Sequence, residues 1–214
     1  MALFDKNTRK QLQDILGQMQ GNVRIILFTQ EIECQYCKEA HQFAKEIAAL
    51  DTHLTLSVYK LVEDKTMADR YEVDKVPALL LLDQDDRDMR MRFYGIPAGY
   101  EINTFLWALL AASGKREIIP PEITERIRRI EKDILLQVFV SLTCPNCPDA
   151  VLAACFLALE NPKIRTEMIE SAMFVHLAIR YNVIGVPKTI VNGKTEFVGA
   201  MPIPLMLDII EKIE

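Results

Sequence analysis

The octapeptides ECQYCKEA (Glu33–Ala40) and TCPNCPDA (Thr143–Ala150) decide how this chain is read. Each carries a Cys-x-x-Cys pair, and they lie 110 residues apart in a chain of 214. Moving the sequence 110 positions along itself superposes Cys34 on Cys144, Cys37 on Cys147, Ala40 on Ala150, Ala44 on Ala154 and Ala68 on Ala178. The same shift lays RYEVDKVP (Arg70–Pro77) over RYNVIGVP (Arg180–Pro187), so Val76-Pro77 matches Val186-Pro187. In both halves 40 residues separate the second cysteine from that proline (77 − 37 and 187 − 147). One offset kept over this many positions is the mark of a duplicated unit.

Outward from the cysteines, each half reads in the same order. In the first, Leu12, Ile15, Leu16 and Met19 keep helical spacing and VRIILF is a short β-rich run ending just before Cys34. Ala40, Phe43, Ala44, Ile47 and Ala48 recur at the helical period, LTLSVYK is a strand, and a short helix is expected near Thr66 to Tyr71. PALLLLD and MRFYG read as hairpin strands and INTFLWALLAA as a closing helix. The second half supplies ILLQVFV, a helix from Cys147, KIRTEMIE, a helix over Ser171 to Tyr181, KTIV, TEFVG and a last helix through Ile213. Asn192-Gly193 predicts a type I′ hairpin turn. SGKREIIPP (Ser113–Pro121) stops one helix and starts another, because proline fits the first helical turn. Two α/β units follow, residues 1–116 and 117–214, each a mixed sheet flanked by helices.

Composition narrows the partners. Net charge is −5, with Lys and Arg mixed among acids rather than gathered in a patch, which argues against a nucleic-acid partner. MALFDKNTRK lacks the basic-then-apolar order of a secretory signal, and the longest apolar run, Ala150 to Leu159, falls short of the ~20 residues that span a bilayer. A cytoplasmic protein with no membrane partner is expected. In that setting five cysteines, four of them in two pairs, are catalytic or metal-binding rather than a disulfide framework.

A cysteine at a helix N-terminus sits among unpaired N–H groups and the positive end of the helix dipole, which lowers its pKa from about 8.5 into a range of roughly 3.5 to 7.5. Cys34 and Cys144 are thus the candidate nucleophiles. Cys37 and Cys147, three residues on, are placed to attack a mixed disulfide and release the product. This exchange needs no cofactor. Pro145 and Pro148 both suit the first turn of a helix. A four-thiolate zinc site is the competing reading, but zinc ribbons separate their pairs by about 15 to 20 residues, and 106 lie between Cys37 and Cys144.

Other residues are plainer. Cys155, within AVLAACFLAL, reads as a buried inert thiol on a helix apolar all round, one that needs cover beyond its own sheet, from the other unit or a second copy in a homo-oligomer. His41 reads as a solvated surface residue, and NGKT (Asn192–Thr195) is a turn, since Lys188 stands where a phosphate loop needs glycine. Glu31, Glu33 and Glu39 surround the first pair with only Lys38 against them, whereas Asp149 is the nearest acid to the second. Negative charge disfavours a thiolate, so Cys144 is expected to ionise more readily than Cys34.

Cys-x-x-Cys after a strand, then Val-Pro leading into a hairpin and a terminal helix, resembles the thioredoxin fold. Two such units, CQYC then CPNC, resemble the glutaredoxin-like protein disulfide oxidoreductases of thermophilic prokaryotes over nearly the whole chain. The resemblance implies that Pro77 and Pro187 are cis and that Val76 and Val186 offer their backbone to a polypeptide. It implies a thiol–disulfide oxidoreductase, acting on protein disulfides and fed by a thiol or a dithiol reductase. Thioredoxins proper carry a buried acid six residues before the first cysteine; here those positions are Phe28 and Val138, so the proton must be handled otherwise. Two rivals stand beside this reading. One is a dedicated electron shuttle to a peroxide-reducing partner, like the tandem segment of some peroxidase reductases, which resembles a version with one pair lost. The other is a non-catalytic thiol or zinc-binding scaffold.

Overall fold

A computed structural model describes residues 2–213. The chain divides into two compact units: residues up to 89 with Phe93–Ile96 and Phe105–Arg116, and Arg90–Arg92 with Pro97–Thr104 and the residues from 117 onward.

The first unit opens with α1 (Lys6–Leu16), whose cap, Asp5, accepts the amide of Thr8 at 2.7 Å. The helical spacing continues to Met19, but the helix ends at Gly17. Strand β1 (Val23–Thr29) follows, then α2 (Cys37–Ala48), β2 (Leu54–Lys60), α3 (Lys65–Arg70), β3 (Ala78–Leu82), β4 (Asp88–Tyr94) and α4 (Ile102–Ala112); Arg90–Arg92 of β4, a 3-10 turn at Gly99–Glu101 and the start of α4 up to Thr104 are the stretches that fall in the second unit. The strand order is β2-β1-β3-β4. β1 runs parallel to β2 and antiparallel to β3, with Phe28 opposite both Tyr59 and Ala78. Successive side chains of β1 point to opposite faces and all four of Ile25, Ile26, Leu27 and Phe28 are buried, so both faces of this central strand are covered, which is why its apolar run is unbroken. Phe93 packs edge-on against Phe105 at 5.1 Å, and Phe43 of α2 reaches Phe105 at 5.8 Å.

The second unit repeats the plan: α5 (Pro121–Arg128), β5 (Ile134–Val140), α6 (Cys147–Glu160), β6 (Ile164–Glu170), α7 (Val175–Arg180), β7 (Lys188–Val191), β8 (Thr195–Val198) and α8 (Ile203–Ile210). Its order is β6-β5-β7-β8, with β5 parallel to β6 and antiparallel to β7. The β7–β8 hairpin turns on Asn192 (φ 50°) and Gly193 (φ 69°), the two positive angles that a type I′ turn demands. Asn192 also ties the turn to β5, accepting the amide of Leu135 at 2.7 Å and donating to the Asp133 carbonyl at 3.1 Å.

One sequence reading needs correction, and one holds. Helix α7 starts at Val175 rather than Ser171, because Glu170 holds the intervening residues in a turn: its carboxylate accepts the Met173 amide at 2.6 Å and its carbonyl the Phe174 amide at 3.1 Å. Helix α6 is buried at Ala150, Val151, Ala154, Cys155, Leu157 and Ala158, and, as its apolar sequence leads one to expect, it is covered by more than its own sheet. Besides β5 and β6 it packs on α5, α8 and the Gly99–Glu101 turn.

Candidate redox sites

Both Cys-x-x-Cys pairs are closed as disulfides, Cys34–Cys37 and Cys144–Cys147, each with Cα atoms 5.5 Å apart. The regular helices begin at the second cysteine of each pair, not the first. Cys34 and Cys144 therefore sit in the turn that enters the helix. Pro145 lies in that turn too, and Pro148 in the first helical turn. Burial separates the members: Cys34 and Cys144 are half-buried, whereas Cys37 is 3% exposed and Cys147 is fully enclosed. A sulfur must be reached to be attacked, so accessibility alone ranks the leading cysteine first. The enclosed Cys37 Sγ accepts the backbone amide of Gln30 at 3.4 Å, a hydrogen bond from the end of β1.

Val76-Pro77 and Val186-Pro187 are cis peptide bonds. Both prolines are buried and both valines half-buried. In the second unit Cys144 Sγ lies 3.8 Å from the carbonyl oxygen of Val186, bringing the two segments that match across the 110-residue shift into one site. Gly95 and Gly199 donate their amides to the carbonyls of Pro77 and Pro187 at 2.9 and 2.8 Å, fixing each proline to its neighbouring hairpin strand.

A groove of about 570 Å³ opens beside the first pair, lined by Cys34, Cys37, Glu31, Lys38, His41 and Lys60 among others. Lys60 pairs with Glu31 at 2.6 Å. That hydrogen bond and charge hold the Glu31 carboxyl below its ordinary range and raise the Lys60 ammonium. Lys60 is a second cation beside the acids around Cys34, and local sequence does not reveal it: it comes from β2, 26 residues away. His41 is exposed, one turn along α2 from Cys37.

A buried acid that sequence reading overlooks lies against the helix of the second pair. Glu101, in the 3-10 turn, is 0% exposed and belongs to the second unit. Its Oε2 accepts the Thr104 hydroxyl at 2.9 Å, while Oε1 has no hydrogen-bond partner among the described residues. Burial pushes its pKa up to about 7, against the opposing Thr104 bond. The turn packs on α6 and also on the loop before Cys144: the Tyr100 amide donates to the Leu142 carbonyl at 3.0 Å. Gly99 (φ 56°) permits that approach, since a Cβ there would stand 2.2 Å from the same oxygen. Cys155 of α6 is 1% exposed, and burial, with Glu101's charge added, raises its thiol pKa. No signal in the GYE stretch announces this arrangement. Among the described residues no three His, Cys, Asp or Glu side chains converge as metal ligands.

Residues 134–211 match the family model described as Thioredoxin domain. The chain is built on the thioredoxin fold. Superposed on the NTD_N/C domain of alkylhydroperoxide reductase AhpF from Enterococcus faecalis, it gives a TM-score of 0.90 at 26% identity, covering 97% of this chain and 99% of that one. A protein disulfide oxidoreductase from Aeropyrum pernix gives 0.89 at 25% identity, with 97% and 92% covered. An alkyl hydroperoxide reductase polypeptide of Staphylococcus aureus is 28% identical over 211 residues, 99% of this chain. The chain spans 38% of that relative's length. Both thioredoxin-fold units keep their cysteines, and among the described residues no helix is long and apolar enough to cross a membrane.

Proposed function

We propose that the chain is a protein thiol–disulfide oxidoreductase working through two Cys-x-x-Cys sites. The observation that carries the reading is the arrangement around Cys144: a half-buried sulfur 3.8 Å from the Val186 carbonyl, with its partner Cys147 enclosed behind it. In the reducing direction the Cys144 thiolate attacks one sulfur of a substrate disulfide, and the other substrate sulfur leaves as a thiolate. Cys147, once deprotonated, attacks Cys144, releases the second substrate thiolate and closes the Cys144–Cys147 disulfide. Two electrons pass to the substrate, and a thiol or dithiol reductase restores the pair. Cys34 and Cys37 take the same roles in the first unit.

Val76 and Val186, ahead of the cis prolines, would hold the substrate by β-type backbone pairing. Glu101 is the group we assign to proton exchange at the second site: a buried carboxyl titrating near neutral pH, set against both α6 and the loop before Cys144. Changing Cys147 to serine removes the resolving sulfur. Such a variant, carrying Cys34→Ser and Cys37→Ser as well, should accumulate a mixed disulfide between Cys144 and a protein substrate, visible as a thiol-sensitive adduct; no adduct, or one on Cys155, opposes the assignment.

A second reading is favoured by the relatives: a dithiol shuttle feeding a peroxide-reducing partner, as part of an alkyl hydroperoxide reductase. The two differ in rate. A dedicated shuttle reduces an oxidised thiol peroxidase much faster than insulin, whereas a general oxidoreductase treats them alike.

A further inference from the structure

The two sites share a backbone plan but not a rim. Helix α7 leaves Val175 52% exposed and Ile179 74% exposed, and four residues apart they lie on one face. The chain then doubles back, Asn182 and Val183 donating their amides to the carbonyls of Ile179 and Ala178, and presents Ile184 92% exposed two residues before Val186. Val186 is the residue whose carbonyl lies beside Cys144 Sγ. Three aliphatic side chains thus stand in water along the segment that leads to the exchange site.

The 110-residue shift names their counterparts: Lys65, Asp69 and Asp74. Lys65 pairs with Asp69 along α3, and Asp74 with Lys75 at 2.7 Å, so this rim of the first site is charged and hydrated. The first unit has exposed aliphatics at other positions, Leu3, Ile32, Val58 and Val62: Val58 lines the groove beside Cys34 and Cys37, and Ile32 and Val62 lie on the loops beside the Glu31–Lys60 pair, so each site has its own apolar rim. An isolated exposed aliphatic needs no explanation, but three on the approach to a reactive sulfur, replaced by charges in the duplicate, mark a contact surface.

We propose that Val175, Ile179 and Ile184 form a docking platform for the apolar side chains that flank a disulfide in a polypeptide substrate, making the second site selective for apolar sequence context. The inference rests on the oxidoreductase reading and adds a substrate class to it. The occupant follows from continuity with the exchange site: Ile184 stands two residues before Val186, whose carbonyl lies 3.8 Å from Cys144 Sγ, so the chain that brings a disulfide past Val186 is the one that reaches the platform.

The test uses the full chain with Cys34→Ser and Cys37→Ser, so that only the second pair turns over, together with two disulfide peptides, one flanked by Leu and Val, the other by Ser and Glu. The parent should favour the apolar peptide by about tenfold or more in kcat/KM, through KM, as expected for burying a few methyl groups. The triple variant Val175→Ser, Ile179→Ser, Ile184→Ser, checked by circular dichroism for folding, should bring that ratio close to one. A parent that treats both peptides alike, or a ratio unchanged in the folded triple variant, overturns the platform. Self-association of the parent that the triple variant abolishes also overturns it, by making a second copy the occupant. Reduction of 5,5′-dithiobis(2-nitrobenzoate) by the parent separates the two levels: failure there removes the oxidoreductase reading itself.

Discussion

Cys144 Sγ and the carbonyl oxygen of Val186 face each other at 3.8 Å across 42 residues of sequence. The fully buried Cys147 leaves Cys144 as the only sulfur of its pair open to a partner. The two cysteines of the pair thus differ in exposure rather than in residue type.

Exposure predicts the order of alkylation in the reduced protein. Cys34 and Cys144 should react with iodoacetamide at least about tenfold faster than Cys37 and Cys147, and Cys155 only on unfolding. Peptide mapping against time gives the order, and early modification of Cys147 or Cys155 would be inconsistent with the burial described.

Glu101 predicts a pH signature. Its folded pKa of about 7 lies above the ordinary 4.5, so the folded state binds more protons than the unfolded one between these values and loses stability as pH rises through that window. The full effect is at most about 3 kcal/mol. Glu101→Gln should flatten this part of the stability curve in urea titrations. The same change should remove a near-neutral inflection from the rate of the second pair while leaving the first pair's profile in place.

Lys60 shields the first site from Glu31. Lys60→Ala should move the Cys34 alkylation profile to higher pH, and the displacement should fade at 1 M salt, where the screening length is about 3 Å. Glu33 and Glu39 remain near Cys34, so Cys144 should still alkylate faster at neutral pH in single-site variants. A faster Cys34 would reject the electrostatic ranking.

Asn161 closes α6 onto α5, donating to the carbonyls of Ile127 and Ile130 at 2.6 and 2.9 Å and accepting the Lys163 amide at 2.8 Å. Asn161→Ala leaves these groups unpaired at a 3% exposed position, and should cost about 3 kcal/mol. A lowered urea midpoint at constant slope would record it.

Much of this is legible in sequence because it is repeated there. The 110-residue offset locates both cysteine pairs and both prolines, and β5 and α4 fall on ILLQVFV and INTFLWALLAA as read. What escapes depends on distant residues meeting. Glu101 precedes Cys144 by 43 positions and has no motif, and only a fold that sets its turn against α6 makes it an interior acid. Lys60 reaches Glu31 from another strand. An early start for α7 neglects a local competitor, the Glu170 side chain, which captures an amide the helix would otherwise use. Lys188 hides in a strand at 3% exposure because its ammonium finds the carbonyls of Tyr181 and Asn182 and the carboxylate of Glu196.

The most direct test of the account is dithiothreitol-driven reduction of insulin by the intact chain and by variants lacking one or both pairs. Each single-pair protein should accelerate precipitation of the insulin B chain above the dithiothreitol rate, and the protein without either pair should not. An intact chain no faster than dithiothreitol alone would contradict the claim that these disulfides trade partners with a protein substrate.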